Sequence, residues 1–234
     1  MQQASTSVSW WSRIKKFIFY LFIFQLGYIV LLKWVDPPIT MTQASAWVSS
    51  DGLHRDYVSY DRIAPHAKLA VLASEDQLFT THQGFDWERI KEAFEYNKKK
   101  SGRLRGGSTI SQQTAKNVFL WQGRSWLRKG LEVYFTFMIE LVWGKERILE
   151  VYLNVIEMGP GIYGIEAAAQ HYFSKSAAQL SRYEAALIAA SLPNPKKYRV
   201  QPPSPYMQSR ASFITGQMKN LQSDPAIKSL IEGR

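Results

Sequence analysis

Residues 65–86 read Pro-His-Ala-Lys-Leu-Ala-Val-Leu-Ala-Ser-Glu-Asp-Gln-Leu-Phe-Thr-Thr-His-Gln-Gly-Phe-Asp. A proline followed by apolar residues at helical spacing, with Leu69, Leu72 and Ala73 leading one face, predicts a helix that starts at Pro65. The apolar face ends at Glu75, Asp76 and Phe79. Glu75, Phe79 and His82 stand at i, i+4 and i+7, so they share a side if the helix continues. A carboxyl group at the end of an apolar face is partly desolvated, which raises its pKa and suits it to acid–base work. Spacing alone leaves open the plainer reading, a helix end carrying a solvated acidic pair.

Beyond this stretch the periods stay helical. One helix is predicted over roughly 86–97. Asn97 to Gly107 then forms a basic, glycine-rich loop, and Ser108 reads as the N-cap of the next helix. Gly106 to Asn117 is crowded with amides and hydroxyls. Thr109, Gln113 and Lys116 fall on one strip, offering neutral donors for sugar hydroxyls and a point charge for a phosphate. A solvent-facing polar helix explains the same strip equally well.

Ser125 is placed to cap a long helix with Leu127, Leu131, Tyr134, Phe135, Met138 and Leu141 or Val142 as its buried stripe. Arg124, Arg128 and Lys129 crowd its start, where unpaired amides already make a positive end and cations are unfavourable. An anion docked there reverses that cost. Glu132 projects beside the arginines as a second carboxylate, or as the i, i+4 partner of Arg128. Phe119 and Leu120 read as core, Trp121 as a side chain that meets lipid. Further helices follow over 145–157, around Ala167 to Ala169, and after the capping-box pair Ser181 and Glu184, ending at Pro193-Asn194-Pro195. The glycines lack a phosphate-loop signature and the four histidines lack metal-ligand spacing.

Toward the N-terminus, residues 46–60 alternate weakly around Asp51-Gly52 and suggest a small hairpin. Before that, Phe17 to Leu32 is uncharged over 16 residues, or 19 through Val35 if Lys33 snorkels. That is long enough for a membrane helix. Trp10, Trp11 and Trp34 sit at interfacial depths. Arg13, Lys15 and Lys16 precede the run, which places the N-terminus in the cytoplasm and the remainder outside. A cleaved signal peptide is the competing reading; Ala44-Ser45-Ala46 looks like a cleavage site but lies too far past a run that is too long.

The 234 residues carry 29 basic and 19 acidic side chains, a balance of +10. Residues 1–36 hold four of the basic and one of the acidic groups, so the exported part keeps +7. Such a surface suits an anionic membrane, a phosphate-bearing substrate or an acidic polymer, with nucleic acid a poor partner outside the cytoplasm. With no cysteine, thiol catalysis, zinc cages and disulfide scaffolds are excluded. An aromatic share of 14% excludes disorder as the main state.

Taken together, Glu-Asp-x-x-Phe-x-x-His-x-Gly-x-Asp at 75–86, Gly-x-Ser-Thr-Ile-x-Gln-Gln-x-x-Lys-Asn ending at Asn117, and Arg-Lys-x-x-Glu at 128–132 resemble the peptidoglycan glycosyltransferases. Lys145 to Asn154, Tyr172 to Lys175 and Glu184 to Pro193 complete the order, so the resemblance covers roughly 65–200. It implies a mainly α, lysozyme-like domain with a small membrane-proximal lobe, on a single N-terminal transmembrane helix. The implied division is a cytoplasmic tail at 1–16, a membrane helix at 17–35, a connector at 36–64, the glycosyltransferase domain at 65–203 and a C-terminal segment at 204–234. The chain stops about where a transpeptidase domain would begin, which fits the monofunctional type, anchored in the bacterial inner membrane with its catalytic domain periplasmic.

The resemblance further implies polymerisation of lipid II onto a glycan held on undecaprenyl pyrophosphate, with inversion. Glu75 would be the general base and Glu132 the second catalytic carboxylate, orienting cations or holding a divalent ion (Mg or Mn), with no obligatory cofactor. Lys116, Arg124, Arg128 and Lys129 would stabilise the departing pyrophosphate. Asp76, Phe79 and His82 would shape the pocket, while Ser108, Thr109, Gln112, Gln113 and Asn117 would line it or hold substrate oxygens. Cell-wall synthesis or division proteins are the expected protein partners. A membrane-anchored lytic enzyme of lysozyme-like fold is the alternative, though glycan cleavage has no need of the cation cluster.

Overall fold

The computed structural model describes residues 10–48, 52–99, 106–123 and 125–233. The chain divides into two compact units, residues 1–36 and 37–234.

The first unit is a helix, α1 (Trp10–Leu31), long and apolar enough to cross a membrane. It begins before Phe17 and carries Arg13, Lys15 and Lys16 in its first turns, while residues 32–34 leave it as a turn.

The second unit is helical with one small sheet. Its helices are α2 (Met41–Val48), α3 (Pro65–Glu75), α4 (Trp87–Lys99), α5 (Ile110–Phe119), α6 (Trp126–Val142), α7 (Lys145–Val155), α8 (Ile165–Phe173), α9 (Arg182–Ser191), α10 (Pro205–Leu221) and α11 (Pro225–Glu232). Pro65 takes the first position of α3, where its missing N–H costs nothing. Every residue from Ala67 to Ala73 is buried, so α3 is enclosed on all sides rather than along one face. Its alanines, with Ala185, Ala186, Ala189 and Ala190 of α9 and Ala211 of α10, let the three axes approach closely, and α11 closes over α3. Lys68 survives in this core because its ammonium donates to the Ile231 carbonyl (3.2 Å) and lies 3.6 Å from the Tyr60 ring centroid.

A second layer packs α5 between α6 and α7. Asp51 of the suggested hairpin lies outside the described residues, and of its flanks residues 46–48 end α2 rather than forming a strand. Residues 54–55 instead make β1 (His54–Arg55), which pairs in parallel with β3 (Ile162–Tyr163), and β2 (Glu157–Gly159) pairs antiparallel with β3. Asn154 supports this long-range join: its side chain accepts from Val58 N (3.0 Å) and donates to Val58 O (3.0 Å), copying a strand partner. Short-range alternation could not reveal a partner more than a hundred positions away.

The long helix α6 corrects the expected stripe. Leu127 and Leu141 are 70% and 69% exposed, and Leu131, Tyr134, Phe135, Met138 and Val142 only half-buried. The buried seam is Glu132, Thr136, Ile139 and the capping Trp143. A carboxylate and a hydroxyl occupy the inner side because they have partners there, so the apolar side of α6 faces outward.

Candidate active site

Glu75 is the last residue of α3, and the helix does not continue through 76–82. The shared side expected for Glu75, Phe79 and His82 arises instead from a turn, and Asp76 organises it. Its buried carboxylate accepts from Ile110 N at the start of α5 (2.9 Å) and contacts His82 Nε2 (3.0 Å). Gly84 N donates to His82 Nδ1 (3.1 Å), which places the ring proton on Nε2, toward Asp76. Gly84 itself has φ +86°, and a Cβ there would lie 2.8 Å from Thr136 Cγ2, so the turn rests directly on α6. Phe79 is fully buried, and Lys145 Nζ sits 4.6 Å from its ring while donating to His82 O (2.6 Å) and Glu140 (2.7 Å).

The N-cap of α5 is Thr109 rather than Ser108. Thr109 and Gln112 form a reciprocal capping box, and Thr109 Oγ1 also donates to Gly84 O (2.7 Å). Both side chains are buried, so the strip that reaches the surface of α5 begins one turn later. Gln113 Nε2 donates to Glu75 Oε2 (2.9 Å), and Ser74 Oγ donates to Glu75 Oε1 (3.3 Å). Asn117 Nδ2 donates to Gln113 O (2.8 Å).

Gln113, Lys116 and Asn117 form one wall of a cleft of about 340 Å³. Thr42 and Ser45 of α2, Gln122, Glu157 and Lys196 form the others; none of these was expected from the sequence, which gave residues 36–64 only a connecting role. Gln122 Nε2 donates to Thr42 Oγ1 (2.7 Å), and Lys196 lies 3.8 Å from Glu157. Glu75 itself lines a second cleft of about 350 Å³ between α3 and α4, with Asp86, Glu88, Arg89 and Glu92. An Arg89 guanidinium nitrogen donates to the Glu75 carbonyl and ties α4 to the end of α3.

Ser125 caps α6 as expected, accepting from Arg128 N (3.2 Å). Glu132 is buried and engaged on both oxygens, Oε2 by Arg128 (2.9 Å) and Oε1 by Lys129 (2.5 Å). Both of its oxygens thus face a cation. Arg128 Nε is buried with no hydrogen-bond partner among the described residues. Burial lowers the Lys116 pKa from 10.5, opposed by the Glu132 charge and reinforced by Arg128 and Lys129, so these four groups share one electrostatic neighbourhood. Arg124 lies outside the described residues, as do 100–105 of the basic loop.

The arrangement therefore joins a carboxylate on one cleft to an amide on the wall of another, beside a group of cations exceeding its carboxylates. Comparison with known proteins identifies the family. The transglycosylase family matches residues 42–219, reaching past both ends of the 65–200 stretch. A biosynthetic peptidoglycan transglycosylase of Shewanella oneidensis is 48% identical over 212 residues, 89% of this chain and 91% of its own. Those of Bdellovibrio bacteriovorus and Escherichia coli are 47% and 54% identical, covering 95% and 78% of this chain and 92% and 77% of theirs. With a match over most of its length and relatives near half-identical to it, the chain belongs to the transglycosylase family and is a peptidoglycan glycosyltransferase of cell wall biosynthesis.

Proposed function

We propose that this enzyme polymerises lipid II, with the growing glycan on undecaprenyl pyrophosphate as donor and inversion at the reacting carbon. Glu75 takes the proton from the acceptor 4-hydroxyl as that oxygen attacks C1 of the donor sugar, and undecaprenyl pyrophosphate leaves. No separate acid is required, because a pyrophosphate departs far more readily than a sugar hydroxyl. Negative charge grows on that group in the transition state, and Lys116, Arg124, Arg128 and Lys129 stabilise it. Glu132 holds Arg128 and Lys129 in place. Asp76, Phe79 and His82 shape the pocket around the base. Gln113 and Asn117 meet substrate oxygens; Ser108, Thr109 and Gln112 support them from the cap of α5.

One observation carries this reading. On the wall of the cleft that Gln113 and Asn117 line, half-buried Lys116 has a lowered pKa and feels the charges of Arg128 and Lys129, and Arg128, which pairs with the buried Glu132, has an Nε–H unsatisfied among the described residues. An excess of partly desolvated cation is costly in the free protein and is relieved by a phosphate-bearing ligand. The acidic lining of the opposite cleft supports placing the donor pyrophosphate on the Lys116 side and the attacking sugar on the other. The outward apolar side of α6 rests on the outer surface of the membrane, and α1 anchors the enzyme there with its N-terminus in the cytoplasm.

The test is a gel assay of detergent-solubilised protein on labelled lipid II, with Glu75→Gln alongside. A ladder of lengthening products from wild type and none from Glu75→Gln is expected, because the amide keeps the shape and loses the basicity. Shortening of preformed glycan would replace polymerisation by cleavage, and a ladder from Glu75→Gln would remove Glu75 from its role.

A further inference from the structure

Gln113 is an amide, and an amide can face Glu75 with either end. Only one end is useful. With Nε2 toward the carboxylate it donates, as it does here at 2.9 Å. Rotated by half a turn, it would set a carbonyl oxygen against a carboxylate oxygen. The Glu75 carboxylate disfavours that rotation by itself, and a group facing the far end of the amide can lock the choice.

That group is Tyr152, in the middle of α7. Its side chain is completely buried, and its hydroxyl donates to Gln113 Oε1 at 3.4 Å. The direction of this bond is settled by chemistry. Burial pushes the phenol pKa well above 10, and the charges of Glu75 and Asp76 push it further. The group keeps its proton at any working pH and has a hydrogen to give. An amide NH2 facing the hydroxyl would leave the Tyr152 proton without that acceptor in a buried site, which costs about 1–3 kcal/mol. Donation to Oε1 also polarises the amide and strengthens the Nε2–H that Glu75 receives.

We infer that Tyr152 is a positioning residue for the glycosyl transfer, holding the Gln113 amide so that its Nε2–H orients the Glu75 base. Tyr152 touches no substrate and acts through Gln113. Its place in Lys145 to Asn154, a stretch to which the sequence reading assigns no chemical role, concealed this. The inference rests on Glu75 being the base, as proposed above.

The experiment is a double-substitution cycle on the full chain, read as kcat and KM for labelled lipid II with folding followed by thermal denaturation. Tyr152→Phe removes one oxygen and keeps the ring. It should lower kcat by about tenfold, the scale of one misaligned catalytic contact, and leave KM within about twofold. In a Gln113→Ala background the same substitution should change kcat by less than about twofold, because the group it acts through is gone. Wild-type kcat in Tyr152→Phe, or effects that multiply independently, would overturn the inference while leaving the polymerase reading intact. If Tyr152→Phe does not fold, Gln113→Glu serves instead: it still accepts from Tyr152, but beside Glu75 the two carboxyls compete for one proton and the oriented N–H is gone. It should lose kcat, and wild-type kcat there would equally overturn the relay. A wild-type enzyme that makes no polymer removes both readings together.

Discussion

Lys116 shows how a single residue divides its effect between stability and catalysis. Burial lowers its pKa below 10.5, so the folded protein holds this proton less firmly than the unfolded chain does. At neutral pH the lysine is charged in both states, and its charge is an expense of folding. Between the lowered value and 10.5 the unfolded chain binds the proton that the folded one has released, so stability rises with pH across that window. Lys116→Met should therefore unfold at a higher temperature than wild type at pH 7 while losing most polymerisation. Inorganic pyrophosphate should raise the wild-type midpoint and raise that of Lys116→Met by clearly less. A lower midpoint for the methionine variant, measured calorimetrically, would mean that the ammonium is a structural ion-pair member.

At the scale of elements, the start of α5 ties down the turn that follows Glu75, the proposed base. Asp76 receives the Ile110 amide, and Thr109 caps the helix while donating to Gly84. Thr109→Ala removes a cap worth about 1 kcal/mol, together with the contact to the 76–86 turn. The midpoint should fall by roughly 2–4 °C or more for a chain of this size. Activity should fall beyond what the unfolded fraction explains, which kinetics well below the midpoint will read.

The same element shows what the sequence could reveal. A capping signal was legible at 108–109 but its register was not, since Ser108 and Thr109 are both good caps and the choice depends on Gly84, distant in sequence. Ser125 had no such competitor and was read correctly. Gln113 and Lys116 share a side of α5 as their spacing suggests, whereas the Glu75 contact with Gln113 joins two helices and could not be read from spacing. The inner side of α6 was not legible either, because hydrophobic periodicity cannot anticipate a seam held by Glu132 and Thr136. Nor could it reveal Thr42 and Ser45, whose role comes from α2 folding back on the cleft.

Across the whole molecule, apolar surface is unevenly distributed. Along α6, Trp126, Val133, Phe137 and Leu141 share one outward side and are 92%, 45%, 58% and 69% exposed. A contiguous face of this kind is abnormal on a surface that meets only water. In protein lacking residues 1–36, Phe137→Ser with Leu141→Ser should weaken flotation with anionic vesicles at least threefold and leave the melting midpoint within about 1 °C, since neither side chain is buried. Removal of residues 1–36 alone should reduce polymerisation more on lipid II in vesicles than in detergent, because α1 supplies effective concentration at the membrane. Equal losses in the two media would argue against a tether.

The join between β1 and β3 also sets an order of assembly. Synthesis delivers α2 and β1 first, yet Val58 waits for Asn154, a separation of 96 residues, and His54 waits for Gly161. Until those later residues arrive, nothing in the small sheet holds the segment that brings Thr42 and Ser45 to the cleft. A nascent chain thus carries Glu75, the proposed base, long before it carries a closed groove. It acquires a complete groove only when most of its length has been made.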